Sequence, residues 1–260
     1  MKIASFNVNS INARLPRILE WFESAKPDVA VLQEIKCVDE KFPALEFEDL
    51  GYNVEVHGQK TYNGVALLSK HPVDDVLRGL PGGKDDDQAR YIEALVMPEE
   101  AEPVRVGGLY LPNGNPAPGP KYDYKLDWMK RLKQHAQKLL ENEEAFILAG
   151  DYNVIPQAED AHNPKAWEKD ALFLPETRAA FREILNLGLT DAIRQAHPRA
   201  PCYTFWDYQR GAWEKDNGIR IDHLLMSPQA ADRFKDAGVD RKERGKEKPS
   251  DHVPAWVELD

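Results

Sequence analysis

Two short runs with apolar centres, residues 28–33 (DVAVLQ) and 145–149 (AFILA), each follow a segment of helical periodicity and each lead into a carboxylate, Glu34 and Asp151. A run of this length, apolar throughout its centre, suits a strand buried on both faces. The helical segments are residues 14–25, with Leu15, Ile18, Leu19 and Phe22 at i, i+3, i+4 and i+7, and residues 121–141, with Tyr122, Leu126, Met129, Ala136 and Leu139 on one face. Further strands are expected at 2–8, 52–57, 63–69, 90–97, 103–111, 202–206, 219–226 and 252–259, with Gly, Pro and Asn between them. A last helix is expected at 176–187, stopped by Gly188. Many strands in succession with few helices predict two packed sheets covered by helices. An acid at the end of a buried strand is held rigidly at a sheet edge. Two such units, related by a pseudo-two-fold, place Glu34 and Asp151 in one cleft.

The rest of the chain supplies the body for these strands. Of its 260 residues, 42% are hydrophobic and 30% charged, too much apolar side chain for a disordered polypeptide. With 16 Gly and 2 Cys, collagen-like and disulfide-rich scaffolds are excluded. No apolar run approaches the roughly 20 residues needed to cross a bilayer. The opening MKIASFNVNS reads as a strand, without the apolar stretch and cleavage site of a secretory signal. No linker or repeat divides the sequence, and the Pro-rich stretch 112–120 reads as a loop, so a single domain over 1–260 is expected, acting as a monomer. Cys37 and Cys202 lack ligand spacing and read as reduced thiols of a cytoplasmic protein. A formal charge of −10 disfavours non-specific nucleic-acid binding, but a local basic face still acts within about 10 Å.

The layout brings Asn7, Glu34, Tyr110, Asp151, Asn153, Asp222, Asp251 and His252 to strand ends. Singly, each has an ordinary reading. Asn7 and Asn153 suit turns, Glu34 a solvated loop start, Asp151 an Asx-turn and Asp222 a surface pair with Arg220. Asp222, however, interrupts IRIDHLLM, a half-buried strand. A buried carboxylate needs a partner, and histidine is a natural one. Jointly, oxygen-rich groups with no cysteine and few histidines suit a hard cation, Mg²⁺ or Mn²⁺. With a His–Asp pair added, the set suits hydrolysis of a phosphate ester. The metal neutralises phosphoryl charge, a carboxylate activates water and a cationic His holds an oxygen. No P-loop, GxGxxG or GxSxG is present, so nucleotide-triphosphate, dinucleotide and serine-hydrolase chemistry has no support.

The segments FNVNSINAR (6–14), LQEIK (32–36), GVALLSK (64–70), YLPNG (110–114), GDYNV (150–154), RIDHLLMS (220–227) and SDHVPAWVEL (250–259) together resemble exonuclease III and its relatives, the metal-dependent abasic-site endonucleases of base-excision repair. The resemblance runs in order over essentially the whole chain. It implies an α/β four-layer sandwich, two mixed sheets face to face with helices outside. By the same resemblance, Glu34 is the principal metal ligand, Asn7 lies near metal and phosphate, and Asp251 is an outer ligand. Asp151 activates water or assists the leaving group, near a second metal position, and Asn153 orients water and phosphate; Asn7, Glu34, Asp151, Asn153 and Asp251 are the residues the resemblance implies around the metal. His252 contacts the scissile phosphate, oriented by Asp222 and kept charged by it. Tyr110 holds the phosphate or helps the leaving oxygen, and Asn113 is a nearby phosphate contact.

The implied partner is duplex DNA carrying abasic sites or blocked 3′ ends. The implied reaction is Mg²⁺-dependent hydrolysis 5′ to the abasic site, leaving a 3′-hydroxyl, with 3′–5′ exonuclease and 3′-phosphatase action besides. Within YTFWDYQ (203–209), Phe205 and Trp206 are similar to the family's aromatic wall for an extruded sugar. For either ring alone, a place in the core is the competing reading. Helix 121–138 carries six basic residues against two acidic ones, so Lys121 and Lys125 are candidate phosphate contacts, against the ordinary reading of a solvated face. Ile219 departs from the larger aromatic of some relatives, a difference that falls at the implied sugar pocket. The rival readings are a superfamily cousin acting on another phosphodiester and a metal-independent interaction module.

Overall fold

The computed structural model describes residues 1–199 and 201–260. Strand β1 (Lys2–Asn7), helix α1 (Ile11–Ala25) and strand β2 (Val29–Gln33) form a first β–α–β unit. They are followed by α2 (Ala44–Glu48), β3 (Asn53–His57), β4 (Val65–Ser69), β5 (Val73–Arg78) and β6 (Tyr91–Val96). A second unit comprises β7 (Val104–Tyr110), α3 (Pro120–Glu141) and β8 (Phe146–Asp151). Then come α4 (Pro175–Leu185), β9 (Thr190–Asp191), α5 (Ala192–Ala196), β10 (Asp222–Met226), α6 (Pro228–Ala231), β11 (Phe234–Val239) and β12 (Ala255–Leu259).

The strands form two six-stranded sheets, ordered β11-β12-β1-β2-β4-β3 and β5-β6-β7-β8-β10-β9. Among the described residues, only β1–β2 and β7–β8 pair in parallel; the remaining neighbours are antiparallel. A parallel pair needs a crossover, and α1 and α3 supply it. The two units thus occupy equivalent places in the two sheets, which is the echo expected from DVAVLQE and AFILAGD.

The layers follow from the two-residue period of the strands. Val29 and Val31 of β2 face the other sheet, where they meet Ile92, Val106, Ile147 and Leu224, all fully buried. Ala30 and Leu32 of the same strand face outward, beneath Trp21 and Phe22 of α1. On the opposite outer face, Trp128 and Leu132 of α3 and Phe181 of α4 cover Leu109 and Leu148. Both sheets are therefore covered twice, and the order of layers is helix, sheet, sheet, helix. No helix among the described residues is long and apolar enough to cross a membrane. Cys37 and Cys202 are free and buried.

Four expectations change. Residues 202–206 form no strand; Phe205 makes only isolated bridges to Ile219 and His252. The next strand starts at Asp222 rather than 219, and the last at Ala255 rather than 252. Helix α4 ends at Leu185, and Gly188 lies beyond its cap at φ 107, where its N–H bonds to the Leu185 carbonyl.

Candidate active site

Asn7 ends β1, Glu34 follows β2, Tyr110 ends β7 and Asp151 ends β8. Parallel pairing puts the C-terminal ends of neighbouring strands at one edge, with Asn7 opposite Gln33 and Tyr110 opposite Asp151. Antiparallel β10 enters at that same edge, with Asp222 opposite Asp151. Such an edge, beyond the carboxyl ends of parallel strands, is where open α/β sheets bind ligands. Gly150 is required by the crowding there, because a Cβ would overlap the Leu109 carbonyl of β7. Glu34 (φ 51), Asn153 (φ 49) and Asn9 (φ 44) all adopt left-handed backbone. Strained non-glycine conformations of this kind cluster at functional sites.

The side chains form one connected set. Asn7 Nδ2 donates to Glu34 Oε1 at 2.8 Å and to Asp151 Oδ2 at 2.9 Å. Its oxygen accepts from the Asn9 N–H at 3.0 Å. The amide nitrogen therefore orients two carboxylates at once. His252 Nδ1 meets Asp222 Oδ2 at 2.8 Å, and Nε2 points at Asp151 Oδ2 from 3.6 Å. Asn153 donates its backbone N–H to Asp151 Oδ1 at 2.9 Å and its side-chain nitrogen to the Leu111 carbonyl. Tyr110 is half-buried beneath the Arg90 guanidinium, 4.8 Å from its ring. Asp251 reaches the centre through Asn9, whose Nδ2 donates to Asp251 Oδ1 at 3.1 Å. Asn9 Oδ1 accepts from Lys36, and Lys36 pairs with Glu34 at 2.9 Å.

Burial pushes the Asp151 carboxyl up to about 7, with Asp222 and Glu34 adding to the shift and His252 and Asn7 opposing it. Burial works against a charged His252, yet Asp222 and Asp151 outweigh it and hold the imidazolium up at about 10. Burial raises Glu34 too, but the hydrogen bonds from Asn7 and Lys36 and the charge of Lys36 bring it below its ordinary value. Burial, with Glu34 and Asp151 nearby, holds the Tyr110 phenol protonated. The edge thus carries an acceptor poised near neutrality, a fixed cation and a phenol donor. That is the equipment for moving protons around a phosphoryl group.

Ligand atoms of Glu34, Asp151 and His252 lie within 4.8 Å of one another. His252 is an unsuitable ligand, since an imidazolium paired with Asp222 has no lone pair to give. Glu34 and Asp151 remain, two carboxylates at one point, and that donor chemistry fits a hard divalent cation.

The expected DNA contacts divide. Asn113 and Lys121 are exposed, Asn113 beside Asn153 at 3.1 Å and Lys121 in the first turn of α3. Phe205 is half-buried, its ring edge-to-face with His252 at 5.1 Å. Lys125 and Trp206 are corrected. Lys125 has no exposed surface, and its ammonium donates to the Asn113 and Asn153 carbonyls. Trp206 is likewise fully buried, packed edge-on against Tyr203 and Trp213, with its indole N–H on Asp216. Neither presents a surface to a phosphate or sugar. Sequence reasoning missed Asn9 and Lys36, although both stand inside the quoted segments FNVNS and LQEIK. It also missed the buried ion network of Arg220 with Asp160, Asp191 and His223.

The model of the Endonuclease/Exonuclease/phosphatase family matches residues 4–252, and the chain belongs to that family. It is 37% identical over 267 residues to exodeoxyribonuclease III of Haemophilus influenzae, covering all of both chains. Among solved structures, it superposes with TM-score 0.95 and 39% identity on the 3′ phosphatase NExo from Neisseria bound to product DNA hairpin, covering 100% of this chain and 99% of that one. An AP endonuclease from Archaeoglobus fulgidus gives TM-score 0.94 at 38% identity, with the same coverage. Within its family, the chain is a DNA repair nuclease of the exonuclease III type.

Proposed function

We propose that the chain hydrolyses the phosphodiester 5′ to an abasic site in duplex DNA, leaving a 3′-hydroxyl, and that the same site clears 3′-phosphates and digests 3′ ends. It works as a single-domain cytoplasmic monomer. The observation that carries this reading is the line Asp222–His252–Asp151, which ends beside Glu34 with a fixed positive charge between carboxylates. Glu34 and Asp151 would hold Mg²⁺, or Mn²⁺ in its place, with Asp251 behind them, and the cation would supply neutralisation of phosphoryl charge and acidification of water. Asp151 takes the proton of the attacking water as the P–O3′ bond breaks. His252 donates from Nε2 to a non-bridging oxygen, held in place by Asp222. Asn153 orients the phosphate, and Tyr110 donates its phenolic proton towards the leaving oxygen. Asn113 and Lys121 meet neighbouring phosphates, and Phe205 flanks the extruded sugar.

The test is nicking of a synthetic abasic duplex. Activity is expected to vanish with EDTA and return with Mg²⁺, and Glu34→Ala to raise the metal requirement. Asp151→Asn keeps the shape and removes the proton acceptor, so single-turnover cleavage is expected to fall by at least about 10²-fold. Full cleavage in EDTA, or by Asp151→Asn, overturns the assignment.

A further inference from the structure

Lys125 is the one lysine of α3 that is fully buried. Its Nζ donates to the Asn153 carbonyl at 2.5 Å and to the Asn113 carbonyl at 3.1 Å. Those carbonyls belong to two different loops, one following β7 and the other following β8, the pair of strands that end in Tyr110 and Asp151. The same loops are joined a second time by their side chains, Asn113 Nδ2 donating to Asn153 Oδ1 at 3.1 Å. Gly114 folds its loop over the lysine stem at φ +89, where a Cβ would stand 2.6 Å from Lys125 Cδ. A buried ammonium is costly unless it is hydrogen-bonded. Burial pulls the Lys125 ammonium down to about 7, against the charges of Asp151 and Asp170, which hold it up; the two carbonyls are the hydrogen-bond acceptors the fold supplies for it. Asn153 itself sits in left-handed backbone at φ 49, and such a conformation persists only where its surroundings impose it.

We propose that Lys125 is a positioning residue for phosphodiester hydrolysis: its buried ammonium clamps the loops after β7 and β8 together and so sets the backbone, and with it the amide, of Asn153 against the phosphate. The proposal rests on the reading that Asn153 works at the phosphate. It assigns the lysine no contact with DNA. A charge on an accessible lysine acts on affinity, whereas a clamp acts on the placement of a group already bound. Misplacement by about 1 Å costs on the order of 10²-fold in rate, so the effect belongs in kcat.

The experiment is a double-mutant cycle between Lys125→Met and Asn153→Ala, read on a 3′-phosphate duplex and on an abasic duplex. Lys125→Met keeps the stem and removes the ammonium. The expected result is a loss in kcat of about 10²-fold, with KM and duplex affinity unchanged, that nearly disappears on the Asn153→Ala background. An equal loss on both backgrounds overturns the proposal, because Lys125 would then act independently of Asn153. Weakened duplex binding at unchanged kcat overturns it too, as does wild-type kcat. If wild-type protein removes 3′-phosphate but leaves the abasic duplex intact, the substrate reading fails and the cycle still decides the role of Lys125. Melting curves accompany each variant. If Lys125→Met does not fold, Lys125→Gln, which leaves a shorter neutral donor in the slot, is read by the same criteria.

Discussion

His252 Nδ1 stands 2.8 Å from Asp222 Oδ2, and the contact spans the two sheets. His252 lies three residues before β12 of the first sheet, and Asp222 opens β10 of the second. The other Asp222 oxygen, Oδ1, is buried without a protein partner among the described residues. The carboxylate therefore acts chiefly on the imidazole, and together with Asp151 it outweighs the burial that would otherwise discharge His252.

Asp222→Asn keeps a hydrogen-bond acceptor of the same shape but removes the charge. His252 is held up at about 10 in the intact site, so it stays charged across the neutral range. Without Asp222, burial pulls its pKa down, and the charged form is lost as pH rises. Turnover of Asp222→Asn is expected to decline from about pH 6 to about pH 9, while wild-type turnover shows no such alkaline limb. The check is a single-turnover pH profile at saturating metal. Parallel profiles would show that Asp222 does not hold the charge.

The parts of this fold legible in the sequence were those with strong periodicity. The two β–α–β units announce themselves because β2 and β8 are buried on both faces and α1 and α3 on one. The strands that escaped were β5, β9 and β11. Strand β5 is an edge strand carrying Asp74 and Asp75, with a register shift between Asp74 and Leu77, and β11 is an edge strand carrying Lys235 and Asp236. Charged residues and irregular pairing protect edges from aggregation, and they also erase the alternation that marks a strand. The site carboxylates and His252 were legible because each ends or borders a strand. Lys125 was misread because its charge suggested solvent, whereas its depth in α3 depends on which loops fold over it.

A second pH effect concerns stability. His223 is fully buried, its Nε2 2.9 Å from the Val154 carbonyl and its Nδ1 3.0 Å from Arg220. Burial, then the Arg220 charge, pushes it down to about 4. The unfolded chain takes up a proton near pH 6.5, which the folded chain refuses until about pH 4. Stability contributed by neutral His223 is therefore complete above about pH 6.5 and falls with pH below it, by up to about 3 kcal/mol. Urea unfolding of wild type and His223→Gln, from about pH 7.5 to about pH 5, measures it. An identical slope in the variant would assign the effect to other groups.

Of the two lysines expected on DNA, only Lys121 has the exposure to meet a phosphate. Lys121→Ala is expected to weaken duplex binding and reduce the slope of log K against log salt by about 1. Lys125→Met is expected to leave that slope alone. A binding titration in EDTA over a salt series gives both numbers. A slope unmoved by Lys121→Ala would make that end of α3 a solvated face and nothing more.

Phe205 and Trp206 are neighbours in sequence with opposite surroundings, as an extended backbone requires of adjacent side chains. The Phe205 ring lies edge-to-face with His252 at 5.1 Å, so it borders the reaction centre. Trp206 lies inside, between Tyr203, Trp213 and the Arg241 guanidinium. Trp206→Ala is expected to cost about 3–5 kcal/mol of stability and to lower abasic-site cleavage and 3′-phosphate removal together. Phe205→Ala is expected to spare stability by comparison and to lower abasic-site cleavage more than phosphate removal. The second reaction needs the carboxylates and His252 but little of the sugar wall. Setting the ratio of the two activities beside the melting curves separates the cases. A ratio unchanged in Phe205→Ala would place abasic-site selectivity elsewhere in the cleft, and a shifted ratio in Trp206→Ala would mean that the buried indole shapes the wall from behind.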